Sequence, residues 1–555
     1  MDIISTIGPT LETTEDIKHA VAAGSCVFRI HLGYDQKHID LINRIKYVEN
    51  ELNQKLNILL DFPSSRPRVT ANTEYAIKNG DVFYFCSDEN VNNLVGDIPV
   101  SDFDSLIFNA SVGQELLFFD ARLKATVFCV DVEKKRISLT CTYGEETLKN
   151  GNSITFKSDK VSYQLIRKSD KDLLKSLAIS NISIDWIAFS FSETAKQIKD
   201  AEEQINNLFI YPPKLIAKIE TREAIYNLRE IAAVVDGMMV ARGDLAVHID
   251  SVLFSEVQNK IVSICNEHDL YSIVSTELLE NFVSSGVLSR PEMNGLSLAI
   301  SQKPKALQLC KETVWSDRPI DAIKLIKKFV IYETYRNEIE QIKLPEKIIN
   351  KKRVNKPFIV AIEGANGSGK STLTRFLCEY FNIPYRFGVP DFLIKDDIKE
   401  KMIVDANWYS SALFFISGAI EQIRACKQHA TDEIVILDRS IWSTFFVHGS
   451  NSPSKLRSII SVVYAEPEID VEPDMTLILR CSYDVCRTRI RNKSDKERKL
   501  DELVNSDIFY QREDQLYNWL GYQRDNVVSV NVENILPNDL LKLAVDMIKE
   551  KSQLG

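Results

Sequence analysis

Residues 358–372 read FIVAIEGANGSGKST: an apolar run, a glycine-rich loop and the start of a helical pattern. The loop fits G-x-x-x-x-G-K-S/T, in which glycines let backbone N–H groups turn inward around phosphate oxygens. At the end of such a loop Lys370 reaches the β- and γ-phosphates and Ser371 can hold Mg²⁺, while the following helix presents its positive end. The sequence therefore predicts nucleotide binding at this strand–loop–helix unit. The expected contacts are Gly364, Gly367, Ser368, Gly369, Lys370, Ser371 and Thr372.

Two segments downstream of the loop carry charges suited to phosphate chemistry. The apolar run 434–437 ends in Asp438-Arg439, which places a carboxylate for Mg²⁺ beside a guanidinium for an acceptor phosphate. Taken alone, such a pair is more often a structural ion pair. Residues 480–499 then continue a strand pattern into a dense run of Arg and Lys. A charge run is usually a solvated face, but in an acidic chain we interpret this one as a basic segment that closes over transferred phosphate.

Together these segments make residues 357–555 resemble the thymidylate kinase group of nucleoside-monophosphate kinases. The helical run 413–422 and the tail 510–520 add to the resemblance. It implies a P-loop domain with a parallel α/β fold, ATP as phosphoryl donor and a nucleoside monophosphate as acceptor. It also implies catalytic roles for Asp438 and Arg439.

The phosphate loop itself contains no Arg, so the resemblance implies that the basic segment supplies the cation for the transition state. The candidates are Arg487, Arg489, Arg491 and Arg498, of which we choose Arg489. Ala419 stands where thymidylate kinases commonly carry an Arg, which puts thymine selectivity in doubt. Related deoxynucleoside kinases share much of this layout, so a nucleoside remains an alternative acceptor.

Eight short apolar runs alternate with helical patterns in the first 330 residues. They lie at 2–7, 26–30, 57–61, 185–190, 214–219, 236–241, 271–275 and 306–310. Alternating strand and helix signals indicate a parallel sheet, and eight of them favour a TIM (β/α)₈ barrel with catalytic groups at the strand ends. We therefore expect a barrel at 1–66 and 163–330, an inserted β-rich lid domain at 67–162, a charged linker at 331–356, and the P-loop domain at 357–555.

Charged residues occur at the ends of two predicted barrel strands. Lys218 and Glu220 share one face of a strand because side chains repeat every two residues. Asp244 follows the next strand beside Gly243, which lets a ligand approach the backbone. A single such residue would be ordinary surface, but a cation and two carboxylates at strand ends predict a phosphoryl site with a divalent metal.

Residues 1–330 resemble pyruvate kinase, with matching segments in the same order along the chain. The segments are 5–10, 23–29, 59–61, 169–172, 185–191, 217–221, 239–245, 275–280, 289–294 and 312–313. The resemblance implies phosphoryl transfer between phosphoenolpyruvate and a nucleoside diphosphate, with pyruvate as the other product. Glu220 and Asp244 would then ligate Mg²⁺ or Mn²⁺, and Lys218 would neutralise the phosphoryl group in flight. The other implied contacts are phosphate contacts from Arg29 and Arg68, a nucleotide contact from Lys171, and Thr276 beside the carbon that is protonated.

The chain departs from the family at its monovalent-cation site. Three of the four family ligands are replaced, by His31, Gly33 and Phe62, and only Asp61 is kept. Arg66 stands where potassium-dependent members have a Glu and potassium-independent members a Lys. We expect the guanidinium to replace the ion's charge, so that potassium is not required.

Composition excludes several classes of protein. The 555 residues carry a net charge of −10, which argues against sequence-independent nucleic-acid binding. The ten cysteines form no C-x-x-C pair, which favours isolated reduced thiols over a zinc site or a disulfide framework. The first residues do not read as a signal peptide, and no apolar run approaches a membrane span. We expect a soluble, cytoplasmic protein without membrane partners, and a homo-oligomer stays open.

These observations lead to one hypothesis and two alternatives. The leading hypothesis is a bifunctional phosphotransferase that converts a nucleoside monophosphate to the diphosphate with ATP, and the diphosphate to the triphosphate with phosphoenolpyruvate. The first alternative makes the barrel an idle module that senses a metabolite and regulates the kinase. The second makes the C-terminal domain a nucleoside kinase.

Overall fold

The computed structural model describes residues 1–33, 37–87, 97–119, 121–156, 163–346, 356–393, 398–430, 432–466, 470–492 and 506–552. The chain forms two compact units, Met1–Val330 and Ile331–Gly555. Across these ranges, no helix combines the length and the apolar character that a membrane span needs. Arg498, one of the candidate cations of the basic segment, lies outside the described residues.

The first unit contains a closed barrel of eight parallel strands, in which each strand pairs with its neighbours in chain order and the last pairs with the first. The predicted barrel is thereby confirmed. Its strands are Asp2–Thr6, Val27–His31, Asn57–Phe62, Trp186–Phe189, Lys214–Ile219, Gly237–Ala241, Tyr271–Ser275 and Ala306–Leu309.

Successive side chains of each strand point alternately into the barrel and towards the surrounding helices. Each strand contributes one residue to a single buried cluster, and the neighbouring residues pack against the helices. The interior residues are Ile4, Val27, Leu59, Ala188, Ile216, Met239, Ile273 and Ala306. Lys218 is two residues beyond Ile216, so its side chain takes the interior direction at the carboxyl end of the strand.

The outer layer consists of helices that follow the strands. Several begin at capping boxes, as at Thr13, Thr194 and Ser289. In each, the side chain of the first residue accepts a hydrogen bond from the backbone N–H three residues later, and the side chain of that later residue accepts one from the backbone N–H of the first. The helices are Thr14–Ala23, His38–Leu52, Lys168–Ile179, Ala195–Asn206, Arg222–Tyr226, Leu228–Ala232, Arg242–His248, Phe254–Glu267, Glu280–Ser285, Arg290–Ser301, Lys311–Val314 and Pro319–Glu340, with a 3-10 turn at Ser251–Leu253.

A β-rich domain is inserted between the third and fourth barrel strands. A six-stranded sheet and a two-stranded sheet enclose their own apolar core, which includes Phe83, Phe85 and Phe118. The strands are Tyr75–Lys78, Val82–Ser87, Asp97–Val100, Glu115–Phe118, Leu123–Asp131, Arg136–Tyr143, Glu145–Leu148 and Thr155–Phe156, with one helix at Phe103–Asn109.

The segment 331–356, expected to be a linker, begins inside a helix. The helix Pro319–Glu340 continues through residue 331, and Tyr335 and Ile339 join Ile342 and Leu344 in an apolar cluster of the second unit. Tyr335 and Ile339 are four residues apart, which places them on one helix face and lets both be buried. The beginning of the expected linker is therefore a packed helix. Residues 347–355, the basic end of the expected linker, lie outside the described residues.

The second unit is a five-stranded parallel sheet with helices. Its spatial order is Arg386–Phe387, Ile434–Asp438, Phe358–Gly364, Met475–Arg480 and Val527–Asn531. The phosphate-loop strand is central, and Ile362 pairs with Asp438, so the carboxyl ends of these strands meet at one edge. The helices are Lys370–Phe381, Ile398–Val404, Trp408–His429, Ile441–Gly449, Pro453–Val463, Tyr483–Arg491, Asp507–Gln523 and Pro537–Ser552, with a 3-10 turn at Asp391–Leu393. The predicted parallel α/β domain is confirmed.

Ile216 tests how much the barrel depends on its interior layer. Ile216→Ala should lower the free energy of unfolding of the barrel by about 2–5 kcal/mol, because it leaves a cavity among residues that cannot close around it. Hydrogen exchange of barrel-strand amides in rising urea measures this change. The matched control is Ile179→Ala, whose side chain is 86% exposed and whose effect should stay below about 0.5 kcal/mol. Equal effects for the two variants would contradict the assignment of Ile216 to the barrel core.

Candidate active sites

A cavity of about 320 Å³ opens at the carboxyl ends of the barrel strands. Most of the residues predicted for the phosphoryl site line it: Arg29, Arg68, Lys218, Glu220, Asp244 and Thr276. Lys171 does not line it and is exposed on the helix Lys168–Ile179. The structure therefore brings together the residues predicted to contact phosphate and metal, and it places the predicted nucleotide contact elsewhere on the surface.

The ammonium group of Lys218 lies within hydrogen-bonding distance of three side chains. Its Nζ is 2.7 Å from Oγ of Ser190, 3.1 Å from Oε1 of Glu220 and 3.3 Å from Oδ1 of Asp61. Burial would lower the pKa of Lys218, but the charges of Asp61 and Glu220 outweigh it and raise the pKa. The group is therefore a fixed positive charge at the floor of the cavity.

Asp61 connects this lysine to Arg29. Its Oδ2 accepts a 2.7 Å hydrogen bond from Nε of Arg29, and the residue is fully buried. Burial alone would raise the pKa of Asp61, whereas Lys218 and Arg29 hold it below its usual value. The sequence predicted Asp61 only as a remnant of a cation site, although its position at the end of an apolar strand is the same signal that identified Lys218.

Glu220 and Asp244 form the acidic side of the cavity. Oε2 of Glu220 accepts a 2.7 Å hydrogen bond from the backbone N–H of Phe191. Burial, reinforced by the negative charge of Asp244, raises the pKa of Glu220 to about 7. Asp244 is partly open to the cavity, with 32% of its side chain exposed. Its enclosure would raise its pKa, but Arg66 outweighs this effect and lowers it.

This donor set fits a hard divalent cation. Carboxylate oxygens are the ligands that Mg²⁺ and Mn²⁺ prefer, and Mg²⁺ is commonly held by one or two protein carboxylates together with substrate phosphates and water. Burial first, and then repulsion from Asp244, raise the pKa of Glu220, and a bound cation would favour the charged form against both effects. Among the described residues, no group of three or more His, Cys, Asp or Glu side chains could hold a metal by itself.

Arg66 provides a fixed cation in this cavity. Its Nη1 lies 2.6 Å from Oδ1 of Asp244, and its guanidinium lies 4.9 Å from the ring centroid of Phe191. The guanidinium therefore pairs with the predicted metal ligand. At the positions that match the family's cation site, Nδ1 of His31 accepts a 3.0 Å hydrogen bond from the N–H of Gly33, and Phe62 is buried.

Thr276 is held in a strained turn after the seventh barrel strand. Its φ is 71°, and Glu277 beside it has a φ of 53°, values that side chains with a Cβ rarely adopt. Oγ1 of Thr276 accepts a 3.1 Å hydrogen bond from the N–H of Gly243. Local strain of this kind persists only where surrounding contacts enforce it, and it is concentrated at functional sites.

The phosphate loop of the second unit is folded around its lysine. Nζ of Lys370 donates a 2.8 Å hydrogen bond to the carbonyl of Ala365. Burial and the charge of Arg439 lower the pKa of Lys370 to about 8. Gly364 has a φ of 139°, and a Cβ there would lie 2.4 Å from the carbonyl of Leu479, so only glycine allows this approach. Ser371 and Thr372 are exposed at the start of the helix.

Asp438 and Arg439 lie next to the loop. Nη2 of Arg439 donates a 2.6 Å hydrogen bond to Oδ1 of Asn366, which fixes the guanidinium to the loop. The hydroxyl of Tyr385 donates to Oδ2 of Asp438. The other oxygen of Asp438, Oδ1, is buried without a hydrogen-bond partner in the described part of the chain. An orphaned carboxylate oxygen beside a phosphate loop fits a divalent cation.

Two buried carboxylates of this site were missed by the sequence reasoning. Oε1 of Glu363 accepts hydrogen bonds from the N–H and the hydroxyl of Ser440, and burial raises the pKa of Glu363. Burial also raises the pKa of Glu513 on the helix Asp507–Gln523. Glu363 could have been found, because it is a charged residue inside an otherwise apolar strand. Glu513 lies in a polar helical stretch, where no pattern distinguishes it.

One arginine of the basic segment reaches the phosphate loop. Nη1 of Arg489 lies 3.4 Å from the carbonyl of Gly367 and 3.5 Å from that of Ser368. All three described candidates, Arg487, Arg489 and Arg491, are exposed, and Arg489 is the one for which a contact with the loop carbonyls is found. The structure therefore places the chosen arginine at the loop.

Two family models match the chain, one for each unit. The family model "pyruvate kinase, barrel domain" matches residues 1–323, and the "thymidylate kinase" model matches residues 362–536. Solved structures with a similar fold include the pyruvate kinases of Cryptosporidium parvum and Pyrobaculum aerophilum. The first has a TM-score of 0.55 at 21% identity and covers 67% of this chain and 81% of its own. The second has a TM-score of 0.53 at 19% identity and covers 66% and 82%.

Curated relatives match the first unit. Pyruvate kinase 2 of Synechocystis sp. is 28% identical over 339 residues, which is 59% of this chain and 55% of the relative. The pyruvate kinase of Borreliella burgdorferi is 30% identical over 328 residues, which is 58% of this chain and 66% of the relative. The chain thus spans between about half and two thirds of these relatives' length. By its barrel the chain belongs to the pyruvate kinase family, and its second unit contains a thymidylate kinase-like domain.

Proposed function

We propose that the chain is a bifunctional phosphotransferase. The P-loop domain transfers a phosphoryl group from ATP to a nucleoside monophosphate, and the barrel transfers one from phosphoenolpyruvate to a nucleoside diphosphate. The observation that carries the barrel half is the buried ammonium of Lys218, which lies in one cavity with Glu220 and Asp244. The family match adds support, since both families are kinases.

In the barrel, catalysis rests on positioned charge. Lys218 and Arg29 would attract the phosphoryl oxygens, and Glu220 and Asp244 would hold Mg²⁺ or Mn²⁺. When bound, that cation would neutralise the charge on the phosphoryl oxygens. The bond from phosphorus to the enol oxygen breaks as a bond to the diphosphate forms, and the enolate then takes a proton on carbon beside Thr276. Arg66 supports a reaction without potassium, because it supplies a permanent cation at the same cavity.

In the P-loop domain, Lys370 and Arg489 would contact the donor phosphates, and Arg439 the acceptor phosphate. Asp438 and Ser371 would hold Mg²⁺, and the orphaned oxygen of Asp438 supports this role. Ala419 is buried in the apolar core of the unit, so it offers no charged contact to a base. The proposal assigns no particular base or sugar to the acceptor.

The two reactions are chemically complementary. The first produces ADP and a nucleoside diphosphate, and the second consumes nucleoside diphosphates. Phosphoenolpyruvate would thus drive both the completion of the triphosphate and the recycling of ADP. We also propose a cytoplasmic location, supported by ten free cysteines, as expected in a reducing compartment.

One observation favours the alternative in which the barrel is an idle binding module. The 2.6 Å ion pair between Arg66 and Asp244 satisfies the charge of a proposed metal ligand without a metal. Such a barrel could still bind a phosphorylated metabolite through Arg29 and Lys218, and it would release no pyruvate.

Pyruvate release decides between these functions. With Mg²⁺, phosphoenolpyruvate and ADP in potassium-free buffer, the unchanged protein should form pyruvate. Lys218→Met should lower kcat/KM by about 10²–10³-fold, because the transferred group loses its ammonium partner. The matched control is Lys214→Met, at the exposed start of the same strand, which should keep the activity. Absence of pyruvate from the unchanged protein would favour the idle module.

The P-loop half is tested by Lys370→Met, assayed with ATP and a panel of nucleoside monophosphates and nucleosides. We expect a loss of about 10²–10³-fold in kcat/KM for the best acceptor, while pyruvate formation is unchanged. Lys542→Met, an exposed lysine on the helix Pro537–Ser552, serves as the control. A panel in which only nucleosides are phosphorylated would make the domain a nucleoside kinase.

Coupling of the two halves is tested with excess phosphoenolpyruvate and monophosphate and only a trace of ATP. Nucleoside triphosphate should accumulate far beyond the ATP supplied, because ADP is phosphorylated again in the barrel. With the Lys218→Met variant, phosphorylation should stop once the trace of ATP is spent. If the unchanged protein stops at the same point, although each half is active alone, the proposed coupling is wrong.

A further inference from the structure

Two thiols of the second unit lie side by side. Sγ of Cys481 is 3.1 Å from Sγ of Cys486, although the sequence predicted isolated thiols. Cys481 directly follows the strand Met475–Arg480, and Cys486 lies in the first turns of the helix Tyr483–Arg491. Cys481 is 7% exposed and Cys486 is fully buried.

This pair touches the phosphate loop. A Cβ placed on Gly367 would lie 2.5 Å from the carbonyl oxygen of Cys486, so the backbone of Cys486 packs directly on the loop. Nη1 of Arg489, which approaches the loop carbonyls, lies 3.9 Å from Sγ of Cys481. A movement of the two thiols would therefore change the packing of the phosphate loop and the contact with Arg489.

The geometry is close to that of a disulfide. A bond requires the sulfur atoms to approach by about 1 Å from their present separation. Cys481 precedes the helix, and only Ser482, the N-cap residue, separates it from the first helical turn. A small rotation of the Cys481 side chain together with a shift of the first helical turn can supply this approach.

We propose that Cys481 and Cys486 form a reversible intramolecular disulfide under attack by a small hydroperoxide, and that this bond slows phosphoryl transfer at the phosphate loop. Slow peroxide oxidation of neighbouring thiols is the kind of disulfide chemistry that reducing compartments use for sensing.

The chemistry requires only hydrogen peroxide and the two thiols. The thiolate of Cys481 attacks one peroxide oxygen, which breaks the O–O bond, gives a sulfenic acid and releases hydroxide. The sulfur of Cys486 then attacks Sγ of Cys481, and the sulfenic oxygen leaves as water with the thiol proton. The hydroxide takes up the proton that Cys481 lost on ionisation, so both sulfurs are oxidised and peroxide is reduced to two waters.

The order of attack follows from the surroundings of each thiol. Both thiols are buried, and Cys481, at 7% exposed, is the more accessible of the two, so a molecule as small as peroxide would meet it first. Hydrogen bonding with the thiol of Cys486 lowers the pKa of Cys481, and the guanidinium of Arg489 adds to this effect against burial, which raises the pKa. A thiolate is the nucleophile in such oxidations, which makes Cys481 the attacking residue and Cys486 the resolving one.

The effect on catalysis follows from contact with Gly367. Drawing Cys486 towards Cys481 shifts the backbone that packs on the loop, and it bonds a second sulfur to the Sγ of Cys481, which lies 3.9 Å from Nη1 of Arg489. Displacements of about 1 Å in groups that position a substrate can lower rates by up to about 100-fold. We expect oxidation to lower phosphorylation of the monophosphate by roughly tenfold or more. This consequence rests on the proposed function of the P-loop domain, whereas the disulfide itself does not.

The disulfide is measured by mass spectrometry of the full chain after peroxide treatment. Trypsin cleavage after Arg480 and Arg487 yields the peptide 481–487, which contains both cysteines and no others. In unreduced digests this peptide should be lighter by the mass of two hydrogens, and dithiothreitol should reverse the change. Detection of only the reduced peptide, or only of irreversibly oxidised sulfur, would overturn the proposal.

Activity is followed on the same samples. The unchanged protein and Cys426→Ala, which alters a buried thiol on the helix Trp408–His429, should lose kinase activity with peroxide and recover it with dithiothreitol. Cys481→Ala should show no reversible loss, and Cys486→Ser serves the same purpose if Cys481→Ala does not fold. Reversible loss in these variants, or a disulfide without any loss in the unchanged protein, would overturn the regulatory effect. A reduced protein without kinase activity would contradict the proposed function, while the peptide mass would still decide the disulfide.

Discussion

The ammonium group of Lys218 is the charge around which the barrel site is arranged. A lone ammonium would be unstable in such a buried position, because removal from water disfavours the charged form. Asp61 and Glu220 compensate it from two neighbouring directions, and Asp61 in turn holds Arg29. Three of the predicted site residues are therefore positioned by one electrostatic requirement. Barrel closure makes this possible, since it brings the strand that carries Asp61 and the strand that carries Lys218 to the same interior.

The second unit also contains a buried lysine, but the charge of this lysine is balanced differently. Lys370 is buried like Lys218, but its hydrogen bond goes to the neutral carbonyl of Ala365, and its pKa falls to about 8. Glu363 and Asp438 lie in the same site, yet their hydrogen bonds go to serine and tyrosine hydroxyls. Asp438, Glu513 and Glu363 oppose the fall in the pKa of Lys370, but burial and the charge of Arg439 outweigh them, so the charge of this lysine is only partly compensated. The charge of the barrel lysine is paired with two carboxylates, whereas the loop lysine forms its hydrogen bond with a neutral carbonyl.

Much of this arrangement could be predicted before the structure. The eight apolar runs became the eight barrel strands, because parallel strands buried on both faces read as continuous apolar segments. Lys218, Glu220 and Asp244 were found because residues at the ends of such strands share one end of the barrel. Asp61 was predicted only at the family's cation site and Glu363 was not predicted, since their partners here lie between 32 and 157 residues away along the chain. Lys171 was predicted at the nucleotide site from resemblance alone, and its helix leaves it exposed outside the cavity.

By itself, the sequence determined the barrel, the inserted β-rich domain, the phosphate loop and the residue types available for chemistry, because these depend on local periodicity and local motifs. Only the tertiary structure decided which charges meet. It paired Arg66 with Asp244, and it placed the thiols of Cys481 and Cys486 in contact beside the phosphate loop. The expected linker is a further case, since its first residues are helical and packed. The physical reason is the same in each case: electrostatic pairing and burial act through distance in space, which spacing along the chain does not encode.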